Sequence, residues 1–143
     1  MVAGTLLIVL LRYAFSEGAI LLQESVLYMH GVVFMLGIPY ALKHDAHVRV
    51  DLLYGKLGPR GRAVVDLLGH LLFLVPVAVA LFLYSRTYVA SSWRILEGSS
   101  EVGGIPAVFL LKTLIPLTAG LLLLQGLAEI TRCLLVLTGR DRG

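Results

Sequence analysis

Cysteine is nearly missing from this chain, with one among 143 residues. That excludes an intramolecular disulfide, and the place of Cys133 in a late apolar run reads as a small buried hydrophobe rather than a nucleophile. Charge is scarce as well. Asp, Glu, Lys and Arg make up 15% of the residues against 58% hydrophobic ones, and the mean hydropathy is +0.90. These values exclude an ordinary soluble domain. No internal repeat or low-complexity tract is present. The chain is therefore read as a membrane protein, long enough for about four spanning helices of roughly 20 apolar residues each and too short for a separate soluble domain. A net charge of +3 would suggest nucleic acid in a soluble protein. Here the basic residues fall between apolar segments and report topology, so no nucleic-acid partner is expected; the lipid bilayer is.

The hydropathy pattern predicts an all-α integral membrane protein, one four-helix domain over residues 1–143, with helices at about 2–15, 24–42, 63–88 and 106–137. The first run carries Arg12 and measures about 21 Å as a helix, short against a hydrocarbon core of about 30 Å. A signal peptide is the rival interpretation. The run has no basic residue before it and no small-x-small cleavage site after it, so a short first spanning helix, truncated at its N-terminal side, is the expectation. Pro39 falls near the end of the second run and Pro76 within the third, where neighbouring helices can satisfy the freed carbonyl. The connector SSWRILEGSSEVGG at 91–104 is polar and glycine-rich, with Trp93 suited to a headgroup region. The last run is about 48 Å long as a helix and must tilt or project beyond the bilayer. Lys112 and Glu129 mark its edges, and both can snorkel.

Basic residues orient the bundle. Lys43, Arg49, Lys56, Arg60, Arg62, Arg132, Arg140 and Arg142 fall on one side, and Arg12, Arg86, Arg94 and Lys112 on the other. The richer side is expected to be cytoplasmic, which puts both termini there and the 91–104 connector outside.

The most charged stretch, HDAHVRVDLLYGKLGPRGR at 44–62, looks at first like a metal or catalytic cluster. Its basic residues do a topological job, and Val50, Leu53 and Leu57 recur at helical spacing. A short amphipathic helix in the cytoplasmic interface is predicted, ending at Gly58 and Pro59. On it His47 and Asp51 are four residues apart, close enough for a local hydrogen bond. A metal set of His44, His47 and Asp51 matches no established ligand spacing. A haem held by His30 and His70 would require the two at nearly equal depth, and the predicted helix ends leave them roughly 9 Å apart. His70 is expected to pair with Asp66 one turn earlier, and His30 to hydrogen-bond across the bundle. An unpaired acid deep in a span would signal ion coupling. Glu24, Asp66 and Glu129 all fall near predicted ends, so neither a catalytic residue nor a cofactor or metal site is expected.

Several landmarks occur in order: LRYAF at 11–15 with Arg12 and Tyr13, QE at 23–24 with Glu24, FMLGIPYALKHDAHVRVD at 34–51 with His47, Arg49 and Asp51, and IPAVFLLKTLIPL at 105–117. Together they resemble the small membrane subunit, called DctQ-like, of tripartite ATP-independent periplasmic (TRAP) transporters. HVRVD is the most specific element, and the short N-terminus is the departure. The resemblance covers nearly the whole chain. It implies a non-enzymatic four-helix scaffold in the bacterial inner membrane, bound to a large transport subunit and served by a periplasmic substrate-binding protein. It also implies sodium-driven uptake of a small organic anion, with the sodium and substrate sites on the large subunit. The stretches HDAHVRVD and SSWRILEGSSEVGG are similar to a subgroup associated with mannitol, chloroaromatic or 2-oxo acid uptake. The interface and structural candidates are then Arg12, Tyr13, Glu24, His47, Arg49, Asp51 and Trp93. Two other classes compete: a membrane-anchor or cytochrome-like redox subunit, and a small self-sufficient exporter.

Overall fold

The structure, a computed structural model, describes residues 1–15, 20–44 and 57–138. The described residues are helical apart from one connector and the helix-flanking turns. In chain order they form α1 (Val2–Phe15), α2 (Ile20–Lys43), α3 (Pro59–Gly69), a π-helical turn (His70–Leu74), α4 (Val75–Arg94) and α5 (Val108–Leu137). Among the described residues three helical stretches are long and apolar enough to cross a membrane: Ile20–Lys43, the continuous Pro59–Arg94, and Val108–Leu137. α1 is apolar but has 14 residues.

Three boundaries differ from expectation for local reasons. α2 begins at Ile20 rather than Glu24, because Gln23 and Glu24 lie within its first turns and are compatible with helix. The third helical stretch begins at Pro59, where the missing proline N–H costs nothing at a helix start. It runs on to Arg94 and takes Ser91, Ser92 and Trp93 out of the expected connector. Polar residues at a helix end look like a loop to any hydropathy window.

Pro39 and Pro76 are accommodated differently. Pro39 lies inside α2 and cannot donate to the carbonyl of Met35. Thr118 Oγ1 on α5 donates to that carbonyl at 3.2 Å, so a neighbouring helix makes good the loss. Before Pro76 the helix widens instead, and the Val75 N–H reaches back five residues to the carbonyl of His70. In the same turn His70 Nδ1 donates to the backbone carbonyl of Asp66 at 2.6 Å. The expected His70–Asp66 pairing therefore occurs through the main-chain oxygen.

α5 is the hub. It packs along α2, α3, the π turn and α4, whereas α1 leans on α2. Small residues make the close approach of α4 and α5 possible. Ala78, Ser85 and Ser92 are buried on α4, and Ala119, Gly126 and Cys133 on α5, each set at seven-residue intervals. That spacing keeps one seam of each helix facing the other, as in a left-handed coiled coil. A Cβ on Gly126 would lie 2.4 Å from Leu74 Cδ2, so a side chain there must displace the end of Leu74. Only 6–11% of each apolar window is fully buried within the chain, and its many exposed apolar side chains are left for lipid or protein.

Candidate functional site

Polar chemistry concentrates at one end of the bundle, where α4 turns into α5. α4 stops in a Schellman motif. The Leu96 N–H bonds the carbonyl of Trp93 at 3.3 Å, and the Glu97 N–H bonds that of Ser92 at 3.0 Å. Leu96 holds the left-handed conformation, φ 45°, a position that usually goes to glycine.

Glu97 then serves both helices. Its N–H closes the end of α4, and its carbonyl accepts the otherwise orphaned N–H of Phe109 in the first turn of α5 at 3.3 Å. Its carboxylate Oε2 accepts from Ser92 Oγ at 2.6 Å and from Lys112 Nζ at 2.5 Å. Lys112 Nζ also sits 4.2 Å above the centre of the Tyr88 ring. The hydrogen bond from Lys112, followed by that from Ser92, holds the Glu97 carboxyl below its ordinary value.

α2 joins through Glu24. One carboxylate oxygen accepts from Ser99 Oγ, and the other from the Ile105 N–H at 2.5 Å. The connector folds tightly around this clamp, with the Ser99 N–H donating to the Ile105 carbonyl at 3.2 Å. Gly104 is required there, because a Cβ would lie 2.5 Å from Ser99 Cβ and 2.7 Å from Glu24 Oε1. Trp93 closes the outer side. Its indole N–H donates to Thr113 Oγ1 at 2.9 Å, and its ring meets Phe109 edge-on at 4.7 Å. Two carboxylates thus fasten the ends of α2, α4 and α5 into one cap.

Of the sequence-derived candidates, Glu24 and Trp93 belong to the cap. Arg12 is exposed and lines a groove that Glu24 also lines, and Tyr13 is exposed beside it on α1. His47, Arg49 and Asp51, with the interfacial helix expected around them, lie outside the described residues. Glu97, Ser92, Ser99 and Tyr88 escaped the sequence reading, and Lys112 was read as a snorkelling cation rather than an ion-pair partner. The available signal was the pair of opposite charges, Glu97 and Lys112, on either side of a glycine-containing connector.

Two histidine expectations change. His30 stacks on Phe34 of its own helix, with ring centres 6.2 Å apart, and makes no cross-bundle hydrogen bond among the described residues. Gly31 approaches Leu111, and Leu74 approaches Gly126. These contacts put His30 near the level of residue 110 on α5 and His70 near 130, about 30 Å apart in depth. The expected separation of roughly 9 Å was too small because α2 and the third helical stretch are shifted along α5. These two histidines cannot ligate one iron.

Charged side chains are absent from residues 113–128 of α5 and 31–42 of α2. Glu129 caps the far end of this belt on α5, accepting from Gln125 at 2.9 Å and from Arg132 at 3.0 Å.

The family model described as "Tripartite ATP-independent periplasmic transporters, DctQ component" matches residues 1–136. No curated protein and no solved structure matches the chain.

Proposed function

The chain belongs to the DctQ component family of tripartite ATP-independent periplasmic transporters, and from that premise we propose that it is the small permease subunit, a scaffold for a large transport subunit in the bacterial inner membrane. The observation that carries the scaffold reading is the contrast between a locked polar cap and the uncharged belt beneath it. A subunit that moved ions or substrate by itself would place charge or broken helices in that belt. This one fixes the relative positions of three helices and leaves their apolar faces for a partner.

In this reading α1 is the fourth span, both termini are cytoplasmic, and the cap faces the periplasm. Uptake is sodium-driven and depends on a periplasmic binding protein, with a small organic anion as substrate and the sodium and substrate sites on the large subunit. His47, Arg49 and Asp51 order the interfacial segment and present a surface to that subunit. α2 and the third helical stretch meet mainly through α5, so that segment has the most to contribute at the end opposite the cap.

Co-expression with the large subunit tests the assignment. Stable co-purification is expected, and Asp51→Ala should weaken it while substrate binding by the periplasmic protein is unchanged. A chain that never associates with the large subunit would refute the reading. Orientation has its own test. A cysteine replacing exposed Ser100 should react with an impermeant thiol reagent in intact cells, and the buried Cys133 should give little background. Reaction at Gly61→Cys instead would invert the topology.

A further inference from the structure

A groove of about 830 Å³ runs between α1 and α2 toward the connector. Its lining is segregated along its length. Arg12 near the end of α1, Gln23 near the start of α2 and Glu101 of the connector lie toward the cap end, while Ile8, Val26 and Leu27 line the part that runs along the helices. Met1, Thr5 and His30 line it farther from the cap, and beside it the two helices approach closely, since a Cβ on Gly4 would lie 2.8 Å from Val26 Cγ2. The groove is therefore charged at its cap end and apolar in the stretch next to that end.

We propose that this groove binds one phospholipid with a zwitterionic amine headgroup, of the phosphatidylethanolamine type. The Arg12 guanidinium is a fork-shaped donor set suited to a phosphodiester. Glu101 supplies the opposite charge for an ammonium, and Gln23 offers a neutral donor and acceptor between them. The oxygens of Glu24, which also lines the groove, are already engaged by Ser99 and Ile105. The acyl chains run over Ile8, Val26 and Leu27. A headgroup with the same phosphodiester but no amine, such as a phosphoglycerol, would satisfy Arg12 and leave the Glu101 carboxylate without a cation, so the site favours the zwitterion. The volume falls within the range of small-molecule sites and takes the headgroup with part of one chain. A lipid held there would also fill the space beside α1, the helix with the least packing on the rest of the bundle.

The full-length chain, purified in detergent, is titrated with dioleoyl-phosphatidylethanolamine or dioleoyl-phosphatidylglycerol, and bound lipid is counted by native mass spectrometry. One phosphatidylethanolamine per chain is expected, bound about tenfold more tightly than phosphatidylglycerol. Arg12→Gln should remove this bound lipid, and Ile8→Trp, which fills the groove, should weaken both lipids. Glu101→Gln should abolish the preference while phosphatidylglycerol still binds. If the wild-type chain binds the two lipids alike, or if Arg12→Gln and Glu101→Gln both retain wild-type preference, the groove holds only annular lipid and the proposal fails. These outcomes do not depend on the transporter assignment, because no large subunit is present.

Discussion

The α4–α5 hairpin and the α1–α2 pair both join helices that are neighbours in sequence, but they are held by different means. α4 and α5 share a seam of small residues at seven-residue spacing, and their junction is fastened by the cap around Glu97. α1 meets α2 through the Gly4–Val26 approach, with an open, partly charged groove beside it. Both pairs are apolar enough that composition hardly separates them. In a bilayer apolar surface alone does not bring helices together, because lipid satisfies it equally well. Small residues and satisfied polar groups are what make one pair a rigid unit, and their scarcity leaves the other open to a ligand or partner.

The contrast should be broken most severely at Glu24, which ties α2 to that rigid unit. Glu24→Ala takes the acceptor from the Ser99 hydroxyl proton and the Ile105 N–H and removes hydrogen bonds to a charged group, at a cost of roughly 2–3 kcal/mol. The expected result is a lower melting temperature in detergent and faster proteolysis at the connector, and Glu24→Gln should recover part of the loss. An unchanged connector in both variants would mean that Glu24 does not clamp it.

Substitution on the two seams sharpens the comparison. Gly126→Val meets Leu74 in a packed interface and should cost about 1–3 kcal/mol. Gly4→Ala meets only the end of Val26 in a pair with open space beside it, and about 1 kcal/mol or less is expected. Equal effects in thermal unfolding would remove the distinction between a locked pair and a loose one.

A smaller and reversible effect should follow from acid. The folded-state pKa of Glu97 lies below its ordinary value of 4.5 because Lys112 and Ser92 donate to its charged form. The contribution of Glu97 is therefore complete above about pH 4.5 and is lost as the pH falls through the lower folded value. Amide exchange at Glu97 and Phe109 should rise in that acid window in the wild-type chain. In Lys112→Met the rise should begin at higher pH. An exchange profile identical in both proteins would contradict the ion pair.

Much of this architecture was legible in the sequence. The apolar runs mark the helices, and Glu24 and Trp93 stand out by residue type and position, whereas Gly58–Pro59, read as the end of an interfacial helix, is where the third helical stretch begins. Three features were not legible, each for a physical reason. The Ser92–Glu97 and Glu97–Lys112 contacts follow from a left-handed residue at the end of α4, and a leucine rather than the usual glycine takes that position. A reader following glycine as a stop signal looks to Gly98, two residues too late. The depth of His30 relative to His70 depends on how α2 and the third helical stretch are displaced along α5, which is set by the small-residue seam and by the Glu24 clamp. The widened turn at His70–Leu74 precedes Pro76, whereas at Pro39 the helix stays regular and Thr118 of α5 donates to the freed Met35 carbonyl, a partner that only the packing brings there.

The central claim is that this chain holds a transport machine together and does not itself transport. Proteoliposomes containing the purified chain alone, and others containing it with the large subunit and the binding protein, should be compared for sodium-gradient-driven uptake of a panel of small organic anions. Uptake is expected only in the complete assembly and should fall when Glu24→Ala replaces the wild-type chain. Sodium-dependent accumulation by the chain alone would contradict the account.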